Sequence, residues 1–339
     1  MCFDTTSSNT GINNGVCVEI ERMLGKDLLH LACRDHIMKL LARAAFLASL
    51  SPLSAPEVWL FKRFEQHWSK IDQTQYQTGA EVDEILDTVK HEIIEFAHKQ
   101  LLCESLRDDY REFIELSIIF LGGLPARVIH FMAPGAIHHA RWLSKVIYSL
   151  KVWMFRSQFK LTSFEQKGLR KMCIFAVVIY LKAWFTAPLA ASSPRSNLCL
   201  LRDLYSYKQY DAAISKATCK KLEHHLWYLS EYLVGLALFD SDVPSPTKRK
   251  MVIAMQSIQP HSPSPGSKRI TLMASKASDH NLEDFVTPNT RDRLSRLHIG
   301  CDFLDADPRD TWTERETITG KAQQISTSCL SEMTMQKEV

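Results

Sequence analysis

Asp4 is followed five residues later by Asn9, and a Cys-x-x-His pair, Cys33 and His36, comes after it. A carboxylate at the end of a strand is a natural ligand for Mg²⁺. Two or three such groups can hold two hard cations that clamp the attacking and leaving oxygens of a phosphodiester. One carboxylate alone cannot do this. The same residues also have a purely local use: Asp4 can cap the turn that follows it, and Asn9 can close an Asx-type turn. Cys33 and His36 have metal-ligand spacing, but a zinc site takes four ligands and the sequence offers no second pair. A buried thiol and a core imidazole fit them better, and a structural link between two halves of a domain lies between these readings.

Other groups carry weaker chemistry. His138-His139 and His224-His225 are neighbours on expected helices, about 100° apart, so neither pair chelates one metal unaided. His138, His139, Arg141, Trp142, Lys145, Tyr148 and Lys151 mix bases with rings on one helix. That mixture suits phosphate contact with base stacking, and Arg141, Lys145 and Lys151 are the candidate contacts. It suits better a core helix that keeps its basic groups in water. Lys248-Arg249-Lys250 is a short basic run of the kind that opens a nuclear signal. Glu104, Asp108, Asp109, Glu112 and Glu115 read as a solvated face. Glu231 lies in a strongly apolar stretch, where a carboxylate must pair, face a cleft or reach water. No glycine-rich phosphate loop, nucleophile elbow or His-Glu-x-x-His occurs.

These residues depend on a few elements for their positions. Residues 1–4 read as a strand end, 5–15 as a turn-rich loop, 16–24 as a helix, 27–33 as a second strand and 34–49 as a helix. Apolar positions at helical spacing predict further helices over 57–71, 81–103, 108–121, 136–157, 163–184, 199–208 and 210–239. Gly122 to Pro125 stops one of them. Strands are hard to find between 80 and 255. Residues 241–258 read as a linker with a short helix. Residues 259–339 are rich in Pro and Ser at first, then polar with few rings, and read as disordered. The expected fold is mainly α: an N-terminal α/β remnant over 1–50, a helical bundle over 51–240 and a disordered tail.

Composition sets the outer bounds. The chain has 339 residues, 45% of them apolar, with a net charge of +3. That charge permits nucleic-acid binding without demanding it. Nine cysteines without a Cys-x-x-Cys pair fit reduced thiols in cytosol or nucleus. Met1 opens no leader-like segment, and the most apolar run, Met172 to Leu181, is about half of the ~20 residues a membrane span needs. No membrane partner is expected.

The segment Phe3-Asp4-Thr5-Thr6 to Asn9, continued by Leu28 to Ile37, resembles the second-aspartate region of cut-and-paste DNA transposases with an RNase H-like core, especially the hAT-type group. The block from Asp108 to Lys151 also resembles transposon-derived invertebrate proteins. Together the likeness covers about residues 1–258. It implies that Asp4 is the second metal-binding aspartate, that Asn9, Cys33 and His36 are the accompanying motif residues, and that the helical body is an insertion in the core. The catalytic glutamate then lies beyond the insertion, and Glu231 is the candidate. The first aspartate of such proteins lies on an earlier strand that has no counterpart here, so the likeness implies a truncated, catalytically inactive protein that keeps DNA contact. With an upstream core segment it implies Mg²⁺-dependent strand cleavage and joining instead. The other reading is a helical protein-interaction module with no nucleic-acid role. Either belongs in nucleus or cytoplasm.

Overall fold

The computed structural model describes residues 2–11, 13–26, 28, 30–50, 59–79, 84–103, 106–127, 129–135, 141–256 and 270–296. In chain order its elements are β1 (Cys2–Phe3), α1 (Ser7–Thr10), α2 (Val16–Leu24), β2 (Leu31–Ala32), α3 (Arg34–Leu50), α4 (Trp59–His67), α5 (Glu84–Leu101), α6 (Asp108–Phe120), α7 (Arg141–Met154), α8 (Ser163–Phe175), α9 (Leu181–Thr186), α10 (Ser193–Ser206), α11 (Ala212–Leu222), α12 (Ser245–Gln256) and α13 (Pro288–Arg296). The fold is mainly helical. The described residues group into two units. One draws on Met1–Ile37, Thr186–Asp203 and Leu222–Val339, the other on Met38–Phe185 and Leu204–Lys221. The grouping is discontinuous in sequence.

The first unit is built around a β–α–β turn of chain. β1 and β2 pair in parallel, Cys2 with Leu31 and Phe3 with Ala32. Parallel neighbours need a crossover, and α2 supplies it. Gly25 ends α2 at φ 62°, a left-handed cap that glycine adopts without a Cβ clash. The Cys33 N–H then donates to Phe3 O at 2.8 Å, which fixes the start of α3 to β1. Phe3 packs edge-on against Trp227 at 5.7 Å and His30 at 5.5 Å. The Tyr228 hydroxyl donates to Ala32 O at 2.9 Å. These contacts explain why the helix expected over 210–239 stops at Leu222. The chain needs short 3-10 turns at Trp227–Leu229 and Val234–Phe239 to lay Trp227 and Tyr228 against the strands.

Part of the expected disordered tail is folded. Ile270 bridges Leu226 antiparallel, and 3-10 turns at Ala274–Asp279 and Leu282–Phe285 lead into α13. Leu272, Leu282, Val286 and Leu294 are buried, and Arg202 donates to Ala277 O at 3.0 Å. Sparse apolar residues hid this segment: those few suffice because they dock on an existing surface. Residues 257–269 and 297–339 lie outside the described residues.

The second unit is a helical bundle. Met38, Leu41, Phe46, Phe64, Phe113, Phe120, Phe155 and Phe175 are fully buried in it. α6 ends where Gly122 takes φ 74° and Gly123 N–H returns to Ile118 O at 2.9 Å. α8 opens with a capping box: Thr162 Oγ1 accepts from Glu165 N at 3.2 Å, and Glu165 Oε2 accepts from Thr162 N at 2.9 Å. A five-residue π-turn, Ala176–Tyr180, carries α8 into α9. α3 and α8 approach closely at Gly168, where a Cβ would stand 2.5 Å from Leu50 Cδ2.

Candidate functional site

Asp4 follows β1 directly, at the carboxyl end of the strand. Its Oδ1 accepts from Thr6 N at 3.1 Å, Thr6 Oγ1 at 2.6 Å and Asn9 Nδ2 at 2.8 Å. α1 follows Thr6 and brings Asn9 back over the carboxylate. Burial pulls the Asp4 carboxyl upward, but the two Thr6 bonds, the charge of His36 and the Asn9 amide outweigh it, and Asp4 is held below its ordinary 3.8. Oδ2 takes no hydrogen bond among the described residues. Asp4, Asn9 and His36 therefore share one corner, with His36 on the first turn of α3. Cys33 joins that corner through its backbone and sits half-buried before α3.

Glu231 is engaged elsewhere. It is half-buried between two 3-10 turns rather than on a helix, and its Oε2 accepts from Thr287 Oγ1 at 2.9 Å and Asn289 Nδ2 at 3.4 Å. Both donors come from the segment expected to be disordered. Among the described residues no three His, Cys, Asp or Glu side chains stand close enough to hold one ion. The described carboxylates do not fit the paired Mg²⁺ site that the transposase likeness implies, because Asp4 offers one uncommitted oxygen and Glu231 turns to Thr287.

The proposed phosphate-contact helix is corrected in part. Lys151 lies inside the protein, fully buried, with Nζ 2.7 Å from Glu112 Oε1 and 2.6 Å from Met132 O. Glu112 Oε1 also accepts from Met132 N at 2.8 Å. A Lys151 held this way cannot reach a phosphate. Lys145 folds over the Trp142 ring at 4.2 Å. Arg141 begins α7, but its side chain lies outside the described residues, as do His138 and His139.

The acidic run is only in part the solvated face its spacing suggests, with Asp108 exposed. Asp109, Glu112 and Glu115 are buried. Arg107 forks onto Asp109 at 3.0 and 2.8 Å, and Arg127 meets Glu115 at 2.7 Å. Each buried charge has an opposite one beside it, which is what makes burial tolerable. Glu104 lies outside the described residues. The basic run at 248–250 is part of α12, where Lys250 pairs with Glu283 at 3.2 Å.

Arg34, one residue past Cys33, is buried although nothing in a sequence marks an arginine for burial. It is 2% exposed. Its Nη1 donates to the carbonyls of Thr186 at 3.1 Å and Ala187 at 3.3 Å. Burial pushes its guanidinium down to about 10, still a cation at neutral pH. His30 is likewise buried: its Nε2 lies 2.9 Å from Glu21 Oε1, which ties α2 to the approach of β2.

The sequence matches no protein-family model, and no curated protein or solved structure shows significant similarity to it. Among the described residues no helix is long and apolar enough to cross a membrane.

Proposed function

We propose that this chain derives from the RNase H-like core and helical insertion of a cut-and-paste transposase, and that it binds DNA without cutting it. The observation that carries this reading is Asp4: a carboxylate at the carboxyl end of the first strand of a parallel β–α–β unit, fixed by Asn9, beside the His36 of a Cys-x-x-His pair. In open α/β folds, ligands gather outside the carboxyl ends of the strands. The non-cleaving half of the proposal rests on the ligand set. One carboxylate oxygen does not make a two-metal clamp, and Glu231 is held by Thr287.

A second reading, a protein-interaction module, is supported by the burial of Lys151 and by exposed Met23 and Leu24 on α2. Calorimetric titration of the full chain with Mg²⁺ and Mn²⁺ tests the leading proposal. The expected result is no saturable binding, with wild type and Asp4→Ala alike. Saturable binding that Asp4→Ala abolishes would restore the enzyme reading.

A further inference from the structure

With Lys151 buried, the exposed cations among the described side chains of the second unit include clusters on two other helices. On α8, Lys167, Arg170 and Lys171 are exposed within one turn of each other. On α11, Lys216, Lys220 and Lys221 are exposed, the first two at i, i+4 spacing. The Lys171 side chain reaches the residue before α11, its Nζ 2.8 Å from Asp211 Oδ2. Asp211 Oδ1 in turn accepts from Ala213 N at 3.0 Å and Ile214 N at 2.9 Å, which anchors the start of α11. Behind this junction Phe175 packs against Tyr207 at 5.8 Å.

Negative charge is sparse along segments 160–171 and 204–221, with the exposed Asp203 just before the second and the half-buried Glu223 just after it. The acids within these segments are Glu165 and Asp211. Both are buried, Glu165 against Arg63 at 2.6 Å and Asp211 against Lys171. Rings stand among the cations. Lys208 Nζ lies 3.8 Å from the Tyr205 ring centre, and Tyr210 and Phe164 are exposed.

We infer that the α8–α11 face is a nucleic-acid-binding surface that takes the phosphate backbone of duplex DNA. Residues four apart on a helix are separated by about 6 Å along the axis. Duplex DNA carries one charge per roughly 1.7 Å of its length, so each lysine has a phosphate within reach, and each contact releases counterions. An anionic membrane would meet the same cations and the exposed Phe164 and Tyr210, but α11 itself exposes only Ala212, Ala213 and its three lysines, which favours duplex DNA. The inference deepens the proposed function by placing its DNA contact, and it rests on that reading for the choice of DNA as the probe.

The test uses the full chain and a short fluorescent duplex, read by anisotropy from low to high NaCl. Lys216→Glu with Lys220→Glu is compared with a control pair of equal charge change, Lys99→Glu with Lys182→Glu, on exposed faces of α5 and α9. Circular dichroism melts verify that all three proteins fold. The wild type should bind at low salt and weaken linearly with log salt. The α11 variant should lose about tenfold or more in affinity, and its salt slope should shrink by about 1.8, two contacts at 0.9 each, while the control stays within about twofold. Equal losses in both variants would reduce the effect to net charge and overturn the surface while leaving DNA binding intact. Binding absent from the wild type at low salt would overturn the DNA-binding reading itself. Capture by phosphatidylserine vesicles that the α11 variant abolishes, with DNA binding unchanged, would reassign the face to a membrane.

Discussion

The Lys151 ammonium sits 2.7 Å from the Glu112 carboxylate, and both side chains are sealed from water. The Met132 backbone completes the arrangement, its N–H donating to Glu112 and its carbonyl accepting from Lys151. The pair joins α6, α7 and the segment between them. Removing one partner leaves the other charge buried and uncompensated. We expect Lys151→Ala and Glu112→Ala each to cost about 3–5 kcal/mol, and the double variant to cost clearly less than their sum. Denaturant midpoints at constant m-value measure this. Losses under about 1 kcal/mol would contradict the burial described here.

Asp4 gives a pH signature. Its folded-state carboxyl lies below the ordinary 3.8 because the Thr6 and Asn9 bonds and the His36 charge outweigh burial. The folded protein therefore binds this proton less readily than the unfolded chain. The stability Asp4 contributes is present above the unfolded value and is lost as pH falls through the folded one. Carbon-13 NMR of the carboxylates should find Asp4 titrating below 3.8, and Asn9→Ala should move it upward. A midpoint above 3.8 in the wild type would refute the hydrogen-bonded corner.

The thiols should react in an order set by burial. Cys173 is fully enclosed and its thiol is pushed well above the ordinary value by burial, whereas Cys103 is exposed. The thiolate is the reactive form. Among the described cysteines, mass spectrometry after brief iodoacetamide treatment should find Cys103 labelled first, with Cys17, Cys173 and Cys219 protected until denaturant is added. Early labelling of Cys173 would mean that the core around α8 is open.

Gly168 is where α3 and α8 nearly touch. A Cβ there meets Leu50 Cδ2 at 2.5 Å and Ser49 O at 2.6 Å. The backbone oxygen cannot move aside as a side chain would. Gly168→Ala should therefore destabilise by about 1–3 kcal/mol, despite alanine's better helix propensity. A stabilised variant in thermal melts would contradict the close approach.

Much of the helical layout was legible, because amphipathic spacing and stop signals are local. The helices expected over 81–103, 108–121 and 163–184 appear as α5, α6 and the α8–α9 run, and Asp4 stands at the end of a strand as its flanking residues suggested. What failed depended on contacts distant in sequence. The stretch after Leu222 has helical spacing, yet Trp227 and Tyr228 are drawn onto Phe3 and Ala32. Lys151 has the composition of a surface cation, and only the fold brings Glu112 to it. Thr287 and Asn289 lie in a polar tract whose order comes from docking beside Glu231.

The most direct test of the central claim is one gel. The full chain is incubated with supercoiled plasmid and Mg²⁺ over a salt series, and both retardation and topology are read. The account predicts retardation at low salt that fades as salt rises, with the plasmid still supercoiled throughout. Nicked or linear product that disappears in Asp4→Ala would contradict it and make the chain an active nuclease.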